Sequence, residues 1–119
     1  MNDSKRACVA MVCGILKKKG RSYSSVYDYK RGRHCLYGVS TASRNNVGVY
    51  DYERKGFFQG TVPNFFDYIT SSYVQIREEG DGMCGYDFQS GHFFIVTFVD
   101  SIVSIYDGES ASHFHYSLL

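Results

Sequence analysis

Residues 50–52 read Tyr-Asp-Tyr, an Asp between two aromatic residues, and this short pattern recurs along the chain. Related copies are Tyr27-Asp28-Tyr29, Phe66-Asp67-Tyr68, Tyr86-Asp87-Phe88 and, without the final aromatic residue, Tyr106-Asp107-Gly108. Successive Asp residues of these copies lie 23, 16, 20 and 20 residues apart. The spacing indicates a degenerate repeat of about 20 residues.

Apolar and polar residues alternate after each Asp. The positions seven, nine and eleven after Asp51 hold Phe58, Gly60 and Val62, and polar residues stand between them. Alternation with a period of two is typical of a half-buried strand, and the breaker-rich residues at positions two to five after each Asp suit a four-residue hairpin loop. We therefore predict an all-β fold with one N-terminal α-helix and about five sequential β-hairpins, up to ten short strands in all.

We expect these hairpins to form a small antiparallel barrel or a rolled meander, because an open sheet would leave unpaired edges and an uncovered apolar face. A stacked-hairpin solenoid is the alternative architecture. The short step of 16 residues between Asp51 and Asp67 argues against a strictly regular solenoid. The length of 119 residues predicts a single domain over 1–119, with the hairpin repeats over 23–119.

The start of the chain predicts a helix over residues 4–19. Residues 2–4 read Asn-Asp-Ser and offer an N-cap, residues 7–16 are almost entirely apolar, and three lysines at 17–19 precede Gly20. We expect this helix to be largely buried and to close one end of the sheet. A signal peptide is the competing interpretation, but lysines follow the apolar run directly and no Ala-x-Ala cleavage pattern is present. The apolar run is too short to span a membrane.

The predicted register places each Asp on the core face, opposite the residue seven positions later. There the carboxylate can accept hydrogen bonds from N–H groups of the turn. A row of calcium-binding or acid–base carboxylates is the functional alternative, but one carboxylate per hairpin lacks the dense oxygen cluster that calcium requires. The predicted structural turn residues are Asp28, Asp51, Asp67, Asp87 and Asp107.

The same register places the aromatic residue after each Asp on the outer face, opposite the residue six positions after the Asp. The expected cross-strand pairs are Tyr29/His34, Tyr52/Phe57, Tyr68/Tyr73, Phe88/Phe93 and the degraded Gly108/His113. Such pairs lock the register of a hairpin. Aligned along stacked hairpins, they would also form a ridge that binds sugar rings, nucleobases or a partner protein. The candidate ligand-binding residues are Tyr29, Tyr52, Phe57, Tyr68, Tyr73, Phe88 and Phe93.

Charge is divided unevenly along the chain. Residues 1–55 carry twelve Lys and Arg against four Asp and Glu, a net charge of +8, whereas residues 56–119 carry one against eight, a net charge of −7. The two halves could attract one another within the fold or between copies of the chain, or the basic part could bind phosphate or an anionic polymer. Candidate anion or nucleic-acid contacts are Lys17, Lys18, Lys19, Arg21, Lys30, Arg31 and Arg33, which are interleaved with tyrosines.

The Cys, His and Ser residues do not show the spacing of known metal-binding or catalytic motifs. Cys8, Cys13, Cys35 and Cys84 show no CxxC spacing, so we expect no metal and no cofactor, buried free thiols and a cytoplasmic protein; a secreted protein with two disulfides is the alternative. His113 and His115 share a strand face, but no spacing supplies further ligands. No G-x-S-x-G elbow is present, and we expect a protein that is not an enzyme.

Hairpin repeats rich in Tyr, Phe and Gly resemble, in general design, the aromatic-glycine repeats of bacterial choline-binding and toxin cell-wall-binding modules. Those repeats carry Gly-Trp motifs, and this chain has no Trp. The resemblance therefore implies a similar design and transfers no binding residue to this chain.

Three functional hypotheses follow from the sequence. The first is a non-enzymatic module that binds an unknown protein or carbohydrate partner through its aromatic hairpin tips. The second is nucleic-acid binding by the basic N-terminal third, although no RNP, KH or zinc-finger pattern supports it. The third and weakest is a small-ligand barrel or hydrolase whose site includes His92 and the inward-facing Asp residues.

Overall fold

The computed structural model of the protein describes residues 1–18 and 22–119, which form one helix and ten strands. The helix is α1 (Asp3–Lys17). The strands are β1 (Ser25–Asp28), β2 (Arg33–Ala42), β3 (Asn46–Asp51), β4 (Gly56–Thr61), β5 (Asn64–Asp67), β6 (Ser72–Glu79), β7 (Gly82–Asp87), β8 (His92–Val99), β9 (Ile102–Asp107) and β10 (Ser112–Leu118).

The ten strands form a closed antiparallel barrel. Each strand pairs with the next one along the chain, and β1 also pairs with β10, where Val26 lies opposite Leu118. The predicted fold class, a barrel of successive hairpins with an N-terminal helix, is confirmed, and the solenoid alternative is wrong. Closure pairs the two strands that would otherwise be edges, so no row of unpaired backbone groups remains between β1 and β10.

The strands of each hairpin pair in a register that differs from the predicted one. Asp51 pairs with Gly56, five residues later, whereas the residue seven later, Phe58, pairs with Val49. Each turn consists of the four residues that directly follow the Asp, so the aromatic residue after the Asp lies in the turn rather than on a strand. The predicted pairing of Asp with the residue seven positions later is therefore wrong.

The backbone explains this register. The fourth residue after each Asp has a positive φ in all five hairpins, from 52° to 73°. Its N–H donates to the Asp carbonyl in three of them, as in the bond of 2.7 Å from Lys55 to Asp51. A left-handed residue at this position turns the chain back onto the strand, so pairing starts again at the fifth residue. The left-handed residues are Gly32, Lys55, Ser71, Gly91 and Ala111.

Helix α1 lies inside the barrel, so the prediction that it closes one end of the sheet is wrong. All residues from Lys5 to Leu16 are buried, on every face of the helix. Near its start, the Lys5 ammonium contacts Asp87 beside a hairpin turn, and near its end Lys17 donates to the Asp81 carbonyl at the opposite end of the barrel. Fifteen residues of helix span about 22 Å. A helix that is apolar all round must be enclosed all round, and the interior of the barrel encloses it.

The helix begins at Asp3, one residue before the predicted segment 4–19, and ends at Lys17. Asn2 is the N-cap, and its side-chain oxygen accepts a hydrogen bond of 2.8 Å from the Lys5 N–H. Lys18 is the C-cap. Residues 19–21, part of which the prediction assigned to the helix, lie outside the described residues.

The inward strand positions complete the core around α1. The residues seven positions after each Asp are all buried, and Phe58 stacks on Phe65 with ring centroids 5.9 Å apart. Two of the positions eleven after the Asp, Val39 and Glu78, are exposed. Val39 stands at a register shift between β2 and β3, and Glu78 stands one residue before the end of β6. The alternation therefore fails at the register shift in β2 and near the end of β6.

Candidate functional site

The five repeated Asp residues form a buried ring at one end of the barrel, which we call the tip end because the hairpin turns lie there. Each Asp is at most 1% exposed. The Asp51 carboxylate accepts hydrogen bonds from the N–H groups of Glu53 (3.0 Å) and Arg54 (3.2 Å), two and three residues later. The other four Asp residues accept the corresponding bond from the residue two positions later. The carboxylates are therefore used to shape their own turns.

Cations from the start of α1 and from the hairpin turns neutralise this ring. The start of α1 carries Lys5, whose ammonium lies 2.7 Å from Asp87 and 3.8 Å from Asp67, and Arg6, whose guanidinium lies 3.0 Å from Asp107. Turn arginines provide the rest: Arg31 bonds Asp28 at 2.6 Å, and Arg54 bonds Asp51 at 2.7 Å and Asp67 at 2.8 Å. Buried charges are tolerated only when they are paired, and all five carboxylates meet this condition.

The Asp87 carboxyl shows the balance of forces in the ring. Burial by itself raises the pKa of this group, but the hydrogen bond and the charge of Lys5 outweigh burial, so the pKa of Asp87 lies below its usual range. Asp87 is therefore ionised in the folded protein, whereas a general acid would be held protonated. Among the described residues, no group of three or more His, Cys, Asp or Glu side chains is arranged to hold a metal ion.

Aromatic rings cluster on the outside of the same tips. Tyr50 lies between Tyr52 and Phe57, with ring centroids 5.1 and 5.0 Å away and an edge-to-face arrangement. Edge-to-face contacts at such distances stabilise aromatic clusters by about 0.5–1.5 kcal/mol beyond the buried area. Two other tips carry the same triad of rings: Tyr27 between Tyr29 and His34, and Phe66 between Tyr68 and Tyr73.

The fourth and fifth hairpins share one ring. Phe93 of the fourth hairpin lies 6.0 Å from Tyr106 of the fifth. Gly108 leaves room for the Phe93 ring, because a Cβ atom at this position would stand 3.2 Å from that ring and 2.7 Å from the Phe93 carbonyl oxygen. The other ring contacts of these two tips join Tyr86 to Phe88 and Tyr106 to His113.

These clusters together form a band around the outside of the tip end, which we call the aromatic rim. Its members are Tyr27, Tyr29, His34, Tyr50, Tyr52, Phe57, Phe66, Tyr68, Tyr73, Tyr86, Phe88, Phe93, Tyr106 and His113. All seven predicted ligand-binding residues belong to the rim, and each is between 45% and 59% exposed. The rim is therefore both ordered by ring contacts and open to solvent.

The predicted ring pairs, however, are wrong in detail. Tyr52 lies in its turn, and the residue opposite Phe57 is Tyr50. The sequence interpretation missed the ring before each Asp, which is the centre of each triad. The alternation of strand residues contained the necessary signal, because a residue next to an inward-facing Asp must face outward.

The candidate anion-binding residues do not come together. Lys17 and Lys18 lie at the end of α1 opposite to the tips, whereas Lys30, Arg31 and Arg33 lie at the first hairpin turn. The length of α1 separates the two groups by about 20 Å. Lys19 and Arg21 lie outside the described residues.

The basic residues at the first turn already have carboxylate partners. Lys30 pairs with Asp3 at 2.8 Å. Arg31 and Arg33 share Glu53, at 2.6 and 3.6 Å. The opposite charges of the two halves are thus partly paired within the fold. Lys5, Arg6 and Arg54 of the basic half pair with Asp87, Asp107 and Asp67 of the acidic half.

The remaining candidate residues are dispersed. His115 shares a hydrogen bond of 2.7 Å with Ser104 on the outer face, and His92 is exposed at the start of β8. Cys8, Cys13 and Cys35 are buried and unpaired, and burial raises the pKa of each thiol. Cys84 is partly exposed. The interior that a small-ligand barrel would offer is occupied by α1.

Comparison of the chain with protein-family models, with curated proteins and with solved structures finds no match. Among the described residues, no helix has both the length and the apolar character that crossing a membrane requires.

Proposed function

We propose that this protein is a non-enzymatic binding module and that the aromatic rim is its contact surface. One observation carries the proposal: at four of the five tips, rings that are fixed by edge-to-face contacts remain about half exposed. Soluble proteins rarely keep large contiguous apolar surface in water without a partner for it.

The position of the rings supports a role beyond hairpin stability. Locking a hairpin register requires only a cross-strand pair, such as Tyr50 with Phe57. Tyr52 adds a third ring from the turn, past the last paired residues, and 58% of it is exposed. Tyr is well suited to recognition because it offers a large, rigid and amphipathic contact area at a low cost in conformational entropy.

The inner face of the tips supports the absence of catalysis. The carboxylates that could act as acids or bases are buried, bonded to their own turns and paired with cations. General acid–base catalysis requires a group within reach of a substrate proton. A partner would contact the exposed rings and the turns. Such a surface suits binding to a protein or a carbohydrate.

The first test replaces Tyr52 and Tyr68 together with Ser. The probes are an array of immobilised oligosaccharides, and labelled single-stranded RNA and duplex DNA at low and near-physiological salt. We expect the wild-type protein to bind one class of probe, and the double variant to lose that binding while circular dichroism and thermal unfolding show a folded barrel. The expected loss of stability is below about 2 kcal/mol, because both rings are more than half exposed.

A matched control removes exposed apolar side chains outside the rim. Val99 and Leu119 are 69% and 52% exposed and stand at the end of the barrel opposite to the tips, so replacing both with Ser should leave binding unchanged. Equal binding by the wild-type protein and the Tyr52/Tyr68 variant would contradict the proposal. Unfolding of that variant would show that the rings are structural.

A further inference from the structure

The outer wall of the barrel is grooved where β4 pairs with β5. One depression, of about 430 Å³, and a second, of about 290 Å³, share Gln59 and Tyr68 and together form what we call the β4–β5 groove. Its volume is within the range of small-molecule sites, about 300–1,000 Å³. The hairpin that carries it is the shortened repeat, in which Val62 and Pro63 alone connect β4 to β5.

The upper part of the groove is aromatic. Phe57, Tyr68 and Tyr73 of the aromatic rim line it, and they are 45%, 54% and 59% exposed. Phe66 holds both tyrosine rings edge to face, at 4.8 and 4.9 Å. The groove is therefore bordered by rings that are already oriented before any ligand arrives, which lowers the entropic cost of binding.

The lower part of the groove carries uncharged amides. The side chains of Gln59 and Asn64 make no hydrogen bond to any part of the protein that the structure describes. Asn46 donates through its amide nitrogen to the Thr61 hydroxyl at 3.0 Å and keeps its amide oxygen free. An amide offers both donors and acceptors, so these three groups can pair with hydroxyls in either role.

Charge and topology narrow the class of ligand. None of the residues that line the groove is charged, so a phosphate or carboxylate would find no ion-pair partner there. A peptide could not extend the sheet by strand addition, because β4 and β5 are each paired on both sides. A ligand with apolar C–H faces for the rings and hydroxyls for the amides satisfies both parts of the groove.

We propose that the β4–β5 groove binds an uncharged oligosaccharide, with sugar faces against Tyr68, Tyr73 and Phe57 and hydroxyls bonded to Gln59, Asn64 and Asn46. This inference rests on the proposed function of the aromatic rim and names the ligand class and the segment of the rim that receives it.

The test titrates the full chain, labelled with nitrogen-15, with neutral hexasaccharides of glucose in β-1,4 and α-1,4 linkage, of xylose and of N-acetylglucosamine. We expect saturable shifts of backbone amide signals, confined to residues of β3 to β6, with at least one of these sugars. Gln59→Ala and Asn64→Ala should each weaken binding about tenfold. Thr97→Ala removes an exposed outer-face hydroxyl of β8 that does not line the groove, and it should leave affinity unchanged.

The other outcomes separate the two proposals. Binding that depends on Tyr52 and Tyr68 but not on Gln59 or Asn64 would overturn the groove and leave the rim as the contact surface. Rim-dependent binding of a charged glycan, a nucleic acid or a protein, with no response to neutral sugars, would overturn the ligand class. Absence of rim-dependent binding for every probe would overturn both proposals.

Discussion

The two faces of the hairpin tips follow different rules. On the inner face, all five repeats keep the same residue, Asp, in the same buried position with a cation beside it. On the outer face, the position after the Asp holds Tyr in three repeats, Phe in one and Gly in one. Six residues after the Asp, two repeats have His34 and His113 where the others have Phe or Tyr. A buried carboxylate without its partners would cost several kcal/mol, whereas an exposed ring contributes about 1 kcal/mol or less. The inner face therefore keeps the same residue in every repeat, whereas the outer face can vary from one repeat to the next.

The adjacent residues Phe57 and Phe58 should separate the two faces most sharply. Phe58 is fully buried against Phe65, and Phe58→Ala should lower the free energy of unfolding by about 3–5 kcal/mol. Phe57 is 45% exposed, and Phe57→Ala should cost below about 1 kcal/mol. Urea denaturation of both variants measures the difference. Similar losses from the two substitutions would mean that the rim is as structural as the core.

The ion pairs of the inner face should be the next most sensitive feature. Asp87→Asn keeps the shape of the side chain but leaves the buried Lys5 ammonium without its nearest carboxylate, so we expect a loss of about 3 kcal/mol. Asp81→Asn is the matched control, because Asp81 is exposed and contacts Lys17 only through its backbone carbonyl. That variant should stay within about 0.5 kcal/mol of the wild-type protein. Equal stability of the two variants would show that the ring of carboxylates is not what holds α1 in register.

Acid should weaken the ion pairs at the tip end. The pKa of Asp87 in the folded protein lies below its usual range, as does that of Asp3, which bonds Lys30 and Arg6. A lowered pKa means that the unfolded chain binds more protons, so the stabilisation is present above the ordinary Asp pKa of about 3.9 and is lost as pH falls toward the folded value. The free energy of unfolding should therefore decrease below about pH 4.

The Asp87→Asn variant is the control for this pH dependence. It lacks the titrating carboxyl, so its free energy of unfolding should decrease less steeply below about pH 4, and the gap between the variant and the wild-type protein should narrow. Denaturation curves collected from neutral to acid pH measure both slopes. Parallel curves for the two proteins would show that Asp87 does not contribute to the acid sensitivity.

Much of the candidate surface could be predicted from local pattern. The aromatic residues at Tyr52, Phe57, Tyr68 and Tyr73 were identifiable because they recur at fixed distances from an Asp. The central rings were missed because the predicted turn lay one position too late, although the alternation around the inward Asp already placed them on the outer face. The position of the turn depends on the left-handed backbone at residues such as Lys55, which lacks the clear sequence signal of Gly. The amides of the β4–β5 groove could not be predicted, because Asn46 and Asn64 come from different hairpins and meet only when the strands pair.

The sequence by itself determined the hairpin repeat, the alternation of buried and exposed residues, the inward Asp and the N-terminal helix, because each depends on residues within about 20 positions of one another. Only the tertiary structure decided that the barrel closes, that α1 runs through it and that Lys5 and Arg6 neutralise the Asp ring. The helix and its carboxylate partners are 82 and 101 residues apart in the chain. Contacts over such separations depend on how the whole sheet curves and closes around the helix, and no local pattern records that curvature.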